Sequence, residues 1–104
     1  MISFLKKLFT PKPKVNFKTL ISNGAIIIDV RTPNEFNSGH CKTSVNMPLS
    51  NLATTLTTLI PNSTIITCCA SGMRSGVAKK LLKTNGFTNV YNSGGYKTLQ
   101  LQLL

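Results

Sequence analysis

Two short apolar runs constrain the fold of this chain more than any other feature. One extends from Ala25 to Val30 and the other from Ser63 to Cys68, with Ile65 and Ile66 at its centre. Apolar runs of this length are typical of parallel strands that are buried on both faces. Each run is followed closely by a helical pattern, and strands that alternate with helices predict a parallel sheet covered by helices on both faces.

The segment after the first run has the pattern of a helix start. Thr32 suits the N-cap, Pro33 suits the first helical position, and the Glu35 side chain can reach back to the amide of the cap residue. After the second run, a tight loop leads into a helix predicted from about Ser75 to Thr84. The positions of that helix predicted to face inward are Val77, Ala78, Leu81 and Leu82.

Weaker patterns complete the domain. Leucines at helical spacing predict a helix between Pro48 and Pro61, although its many threonines are poor helix formers. The other predicted elements are a helix over 16–21, strands over 44–47 and 88–91, a turn over 93–95, and a helix over 96–104.

The 104 residues fit one domain. Pro11-Lys12-Pro13-Lys14 reads as a stiff linker, so residues 1–14 are interpreted as an N-terminal segment and linker, and residues 15–104 as the folded domain. The segment over residues 1–9 is amphipathic, but Lys6 and Lys7 interrupt it too early for a secretory signal. We expect it to pack on its own domain or to fray; a weak contact with an anionic membrane surface or a partner is the alternative.

The charge balance is strongly basic, with a formal net charge of +10 from twelve lysines and arginines against two acids. Such a charge favours anionic partners, including small oxyanions. The chain has no arginine-rich run, and we therefore expect no nucleic acid partner.

The three cysteines, Cys41, Cys68 and Cys69, form no recognisable disulfide or zinc framework. Adjacent cysteines bridge poorly, and the Cys-x-x-Cys spacing of structural zinc sites is absent. We therefore expect reduced thiols, a cytoplasmic location, and neither a metal nor a cofactor.

Cys69 lies where the second predicted strand runs into the loop, which is where open α/β sheets bind their ligands. If the loop wraps around the sulfur, the backbone amides from Ala70 to Ser75 form an anion-binding nest at a helix N-terminus. Arg74 adds a permanent cation. This environment favours a nucleophilic thiolate, so Cys69 is the candidate catalytic residue. Cys68 still belongs to the strand and is interpreted as structural. The candidate substrate-binding residues are Ala70, Ser71, Gly72, Met73, Arg74 and Ser75.

Several segments occur in the order found in the rhodanese family, which the chain resembles from Ile26 to Gly95. The segment around Cys69 is similar to the family's active-site strand and loop, and aligns Cys69 with the cysteine that carries sulfur. The matching segments are Ile27 to Phe36, Gly39-His40, Val45 to Pro48, Ile65 to Ser75, Gly86 to Val90, and Gly94-Gly95.

The resemblance implies a rhodanese-like three-layer α/β/α fold with a five-stranded parallel sheet. It also implies a sulfurtransferase that moves sulfane sulfur from a donor such as thiosulfate to a thiol or a sulfur-accepting protein, through a Cys69 persulfide. The loop amides would stabilise the persulfide, and Arg74 would help to hold the anionic donor.

The remaining residues of these segments are interpreted as structural. Glu35 caps a helix, Asp29 accepts bonds from nearby amides or pairs with Arg31, and His40 is hydrogen-bonded. The segment after Gly39-His40 departs from the family pattern, and Cys41 is expected to fill its apolar slot.

Two alternatives remain. Counting from Cys68 gives Cys-x₅-Arg, the spacing of cysteine-dependent phosphatases and arsenate reductases on the same fold, but neither a preceding histidine nor a later acid is present. The other alternative is a non-catalytic rhodanese-like module that binds a partner through its basic surface.

Overall fold

The computed structural model describes residues 14–104, which form a parallel sheet with helices on both faces. The strands are β1 (Ile26–Asp29), β2 (Val45–Asn46), β3 (Ile65–Cys69) and β4 (Val90–Gly95). Their spatial order is β2-β1-β3-β4, and every neighbouring pair is parallel. The predicted parallel α/β class is confirmed.

The number of strands differs from the prediction. Residues 14–104 contain four strands, whereas the family resemblance implied five. Only four segments of the sequence have a strand pattern, and each of them corresponds to one observed strand. The fifth strand was an expectation from the family alone, and residues 14–104 contain no further strand.

Within residues 14–104, five α-helices pack on the sheet: α1 (Phe17–Ser22), α2 (Pro33–Asn37), α3 (Leu52–Thr55), α4 (Met73–Thr84) and α5 (Tyr96–Gln102). None of the helices within residues 14–104 is long and apolar enough to cross a membrane. The amphipathic pattern predicted for residues 1–9 lies outside the described residues.

Side chains alternate along β3 and divide the core into two clusters. Ile65 and Cys69 point to the face covered by α3 and α4, where Leu52 and Leu82 are fully buried. Ile66 and Cys68 point to the opposite face, covered by α1 and α5, where the cluster includes Phe17, Cys41 and Leu99. The two clusters produce the predicted three layers, because a strand turns successive side chains to opposite faces.

The start of α2 has the predicted capping box. The Glu35 amide donates to the Thr32 hydroxyl, and the Thr32 amide donates to the Glu35 carboxylate, so two backbone donors of the helix end are satisfied.

The helix predicted between Pro48 and Pro61 is broken. One turn of α-helix, α3, lies between two 3₁₀ turns, Leu49–Asn51 and Leu56–Thr58. The hydroxyls of Thr55, Thr57 and Thr58 donate to backbone carbonyls three or four residues earlier. Such bonds compete with regular helix formation and explain the interruption.

One inward position of α4 was predicted wrongly. Ala78 and Leu82 are fully buried and Leu81 is partly buried, but Val77 is 55% exposed. The apolar stripe of α4 is therefore narrower than its sequence suggested, and Val77 lies on the solvent side.

Candidate active site at the end of β3

The loop after β3 turns directly into α4. Gly72 takes a positive φ of 104° at the position just before the first helical residue, Met73. A side chain is strained at such a φ, and a Cβ there would also lie 3.1 Å from the Cα of Gly94. Glycine at this position allows the loop to curl back over the end of β3.

Two backbone amides and one hydroxyl converge on the sulfur of Cys69. The Gly72 amide donates to Sγ at 3.0 Å and the Ser75 amide at 3.4 Å, while the Ser75 hydroxyl oxygen lies 3.3 Å from Sγ. Cys69 itself is fully buried. The curled loop and the first turn of α4 therefore form a small anion-binding cradle around this one atom.

These donors control the ionisation of Cys69. Burial by itself raises the pKa of the thiol, but bonds from the Ser75 hydroxyl and from the amides of Ser75, Gly72 and Ser71 lower it, and the net pKa is below that of an ordinary cysteine. The N-terminus of α4 adds a partial positive charge in the same direction. The site favours the thiolate, which is the nucleophilic form.

The predicted loop residues differ in their distance from this chemistry. Gly72 and Ser75 bond the sulfur directly, and Ser71 assists through its amide. Ala70 is exposed and Met73 is 81% exposed, so their side chains face solvent rather than the cradle.

Cys68 has the opposite environment. Its side chain lies in the cluster under α1 and α5, fully buried and on the other face of the sheet from Cys69. Burial raises the pKa of the Cys68 thiol well above its ordinary value. Cys41 is also buried in that cluster, as expected, and its thiol donates to the carbonyl of Tyr96.

Arg74 is joined to α2. Its two terminal nitrogens donate to the two carboxylate oxygens of Glu35, at 2.7 and 2.9 Å. The bonds from Arg74 and then from the Thr32 amide lower the pKa of Glu35 to about 2, so this carboxylate is ionised at neutral pH. Glu35 therefore has a second role, beyond the capping that its sequence predicted.

A buried ion pair lies at the end of β1. The Arg31 guanidinium bonds both carboxylate oxygens of Asp29, lies 3.8 Å from the Tyr96 ring centre, and donates to the Gly39 carbonyl. His40 stacks on Phe36 and its ring Nδ1 lies 2.8 Å from the Phe36 carbonyl. These contacts agree with the structural roles predicted for Asp29 and His40.

Sequence reasoning missed the contribution of β4. Asn92 Oδ1 accepts a bond from the Ser75 hydroxyl at 2.6 Å, and the Ser93 hydroxyl donates to the Thr67 carbonyl. The predicted turn over 93–95 is in fact the end of the strand. The Asn-Ser-Gly-Gly run over 92–95 was the available signal in the sequence.

No group of three His, Cys, Asp or Glu side chains within residues 14–104 is arranged to hold a metal ion.

Comparison with known proteins places the chain in a family. The family model described as "Rhodanese-like domain" matches residues 15–101. The chain is 36% identical over 76 residues to thiosulfate sulfurtransferase PspE of Escherichia coli (strain K12), covering 71% of this chain and 73% of that protein. It is 33% identical over 79 residues to thiosulfate sulfurtransferase GlpE of Ectopseudomonas mendocina, covering 75% of this chain and 72% of that protein.

A solved structure gives the same result. The protein described as "rhodanese with anions from E. coli" superposes with a TM-score of 0.68 at 34% identity, covering 72% of this chain and 91% of that one. Together with the geometry around Cys69, these matches lead to one conclusion: the chain belongs to the rhodanese-like domain family.

Proposed function

We propose that this protein is a sulfurtransferase in which Cys69 takes sulfane sulfur from an anionic donor such as thiosulfate, carries it as a persulfide and passes it to a thiol or a sulfur-accepting protein. The observation that carries the proposal is the convergence of the Gly72 amide, the Ser75 amide and the Ser75 hydroxyl on one sulfur atom. Relatives named as thiosulfate sulfurtransferases support it.

The reaction is a pair of displacements at sulfur. The Cys69 thiolate attacks the outer sulfur of thiosulfate, a new S–S bond forms, the old one breaks, and sulfite leaves with the electron pair. An acceptor thiolate then attacks the outer sulfur of the persulfide and restores the Cys69 thiolate. The cradle stabilises negative charge at Sγ before the first step and after the second, and this is covalent catalysis supported by preorganised donors.

Arg74 fits the role of holding the donor even though it is paired with Glu35. A guanidinium has five N–H donors, and the bonds to Glu35 occupy one on each terminal nitrogen. The side chain is 37% exposed, so its other donors can reach an anion that approaches the loop. Glu35 fixes the guanidinium at the start of α4.

The phosphatase alternative has less support. It requires Cys68 as the nucleophile, and that side chain points away from the loop into the core. Phosphatase catalysis also benefits from a general acid that protonates the leaving group. Glu35 has a pKa of about 2 and is ionised at neutral pH, and Asp29 is buried in an ion pair with Arg31.

A cytoplasmic location belongs to the same proposal. Cys41, Cys68 and Cys69 are all free thiols, and a persulfide carrier needs its thiolate in the reduced state. Reducing compartments maintain that state.

The test is a side-by-side assay at neutral pH, with thiosulfate and cyanide in one arm and an aryl phosphate in the other. We expect thiocyanate formation and negligible phosphate release, since sulfite leaves as an anion without a proton. Phosphate release that depends on Cys68 or Cys69, without thiocyanate, would support the phosphatase. Absence of both activities, with no sulfur uptake from other donors, would support a non-catalytic binding module.

A further inference from the structure

The hydroxyl of Ser75 lies within hydrogen-bond distance of three atoms that can accept its proton, but it can donate fully to only one of them. Its oxygen lies 2.6 Å from Asn92 Oδ1, 3.2 Å from the Gly72 carbonyl and 3.3 Å from Cys69 Sγ. A serine hydroxyl has a single proton to donate. Ser75 is fully buried, so the direction of that proton is decided by these neighbours.

The orientation of the Asn92 amide is fixed by its other partners. Oδ1 accepts the Gly94 amide proton at 2.9 Å, and Nδ2 donates to the Gly72 carbonyl at 3.2 Å. A flipped amide would place two donors against each other at Gly94 and two acceptors against each other at Gly72. The atom of Asn92 that faces Ser75 is therefore an oxygen, which can only accept.

The direction of the Ser75 proton consequently depends on the state of Cys69. When Cys69 is a thiol, S–H can donate to the Ser75 oxygen while the Ser75 hydroxyl donates to Asn92. When Cys69 is a thiolate, Sγ can only accept, and the hydroxyl turns towards the charge because bonds to ionised acceptors are stronger. Asn92 then retains the bond from Gly94.

We propose that Asn92 is a positioning residue that competes with Cys69 Sγ for the Ser75 proton, so that the hydroxyl points to Sγ when the sulfur is charged and to Asn92 when it is not. The role of Asn92 in turnover rests on the proposed sulfur transfer. In that reaction, the negative charge moves from Sγ to the outer sulfur when the persulfide forms. The hydroxyl then returns to Asn92, and it turns back to Sγ when the acceptor removes the sulfur.

Asn92 is the neighbour of the Ser75 hydroxyl that can be changed without altering a charge near Cys69. The charged or titratable groups on the elements around the loop are Cys68 on β3, Arg74 with its partner Glu35 from α2, the buried Asp29–Arg31 pair after β1, Lys79, Lys80 and Lys83 on α4, Tyr91 on β4, and Tyr96 and Lys97 on α5. A neutral substitution at Asn92 leaves all of these in place.

The test is the pH profile of Cys69 alkylation by iodoacetamide, located by peptide mass analysis. Asn92→Leu removes the competing oxygen without adding a charge. We expect the midpoint of the profile to fall by roughly half to one pH unit, the effect of about one hydrogen bond. Asn92→Asp should raise the midpoint, because a carboxylate holds the Ser75 proton more strongly and adds a negative charge. Asn89→Ala, at an exposed asparagine just before β4, is the matched control and should leave the midpoint unchanged.

A double-variant cycle isolates the Ser75 proton. Ser75→Ala should raise the midpoint, and Asn92→Leu should then have no further effect. An equal shift with and without the Ser75 hydroxyl, or no downward shift in the folded Asn92→Leu protein, would overturn the proposal. If circular dichroism shows that Asn92→Leu does not fold, the same comparison with Asn92→Ala decides the outcome. The readout involves no sulfur donor, so it is independent of whether the proposed function holds.

Discussion

Gly95, at the end of β4, faces the loop that surrounds Cys69. Its φ of −73° is ordinary for any residue, so conformational freedom does not explain why glycine is required there. The constraint is space: a Cβ would lie 2.8 Å from the carbonyl oxygen of Ala70. Because Gly95 has no side chain, the carbonyl of Ala70 can lie close to the end of β4.

We therefore expect Gly95→Ala to destabilise the protein and to weaken sulfur uptake. The added methyl group must displace either the Ala70 carbonyl or the end of β4, and overpacking of this kind costs about 1–3 kcal/mol. Urea unfolding measures the loss of free energy. Gly76→Ala is the matched control, because its Cβ would come no closer than 3.4 Å to a neighbouring atom and alanine favours a helix such as α4. Equal stability of the two variants would contradict this role for Gly95.

At the scale of elements, the Glu35–Arg74 ion pair connects α2 with the start of α4. The carboxylate also completes the capping box of α2, so one side chain joins the start of α2 to the start of α4. The pair is about one third exposed, and its contribution to stability depends on the charge of Glu35.

The pH dependence of that contribution can be predicted. The pKa of Glu35 is lowered from 4.5 to about 2, so its stabilising effect is complete above pH 4.5 and is lost as the pH falls through about 2. Glu35→Gln removes the charge and can still bond the Thr32 amide. We expect the variant to have a lower Tm than the natural protein at neutral pH, with the gap closing as the pH falls from 4.5 towards 2. A gap that stays constant across this range would contradict the assignment.

The sequence was most informative where a local pattern decides the structure. The apolar runs predicted β1 and β3, and Thr32-Pro33 predicted the start of α2. The second run also predicted that Cys69 lies where β3 meets the following loop.

The missed features depend on contacts between distant segments. Asn92 bonds Ser75 across 17 positions, and Arg74 bonds Glu35 across 39. Local patterns in a single sequence do not show which of these distant segments lie next to each other in the fold. The exposure of Val77 likewise reflects how α4 packs on the sheet, and the broken helix around α3 reflects threonine hydroxyls that bond the backbone.

At the scale of the whole molecule, charge is the dominant feature. The net charge is +10, and both acids of the chain are held by its two arginines. Within residues 14–104, neither acid forms an ion pair with a lysine. This field raises the local concentration of anions, including a doubly charged sulfur donor, and salt weakens it.

Deletion of Met1 to Thr10 should leave folding and turnover intact, because the proline-containing segment over 11–14 is interpreted as a linker to the domain. Thermal unfolding and thiocyanate formation measure the two properties. A substantial fall in Tm would show that the segment belongs to the core. Salt-sensitive binding of the full chain to anionic vesicles, lost on deletion, would instead support a membrane contact of residues 1–9.

The central claim is that Cys69 carries sulfur, and intact-mass analysis after incubation with thiosulfate tests it most directly. We expect the protein to gain the mass of one sulfur atom and to lose it when cyanide is added. Cys68→Ser should behave in the same way, because that thiol is buried on the other face of the sheet, whereas Cys69→Ser should gain nothing. Sulfur uptake that survives in Cys69→Ser and disappears in Cys68→Ser would contradict the account.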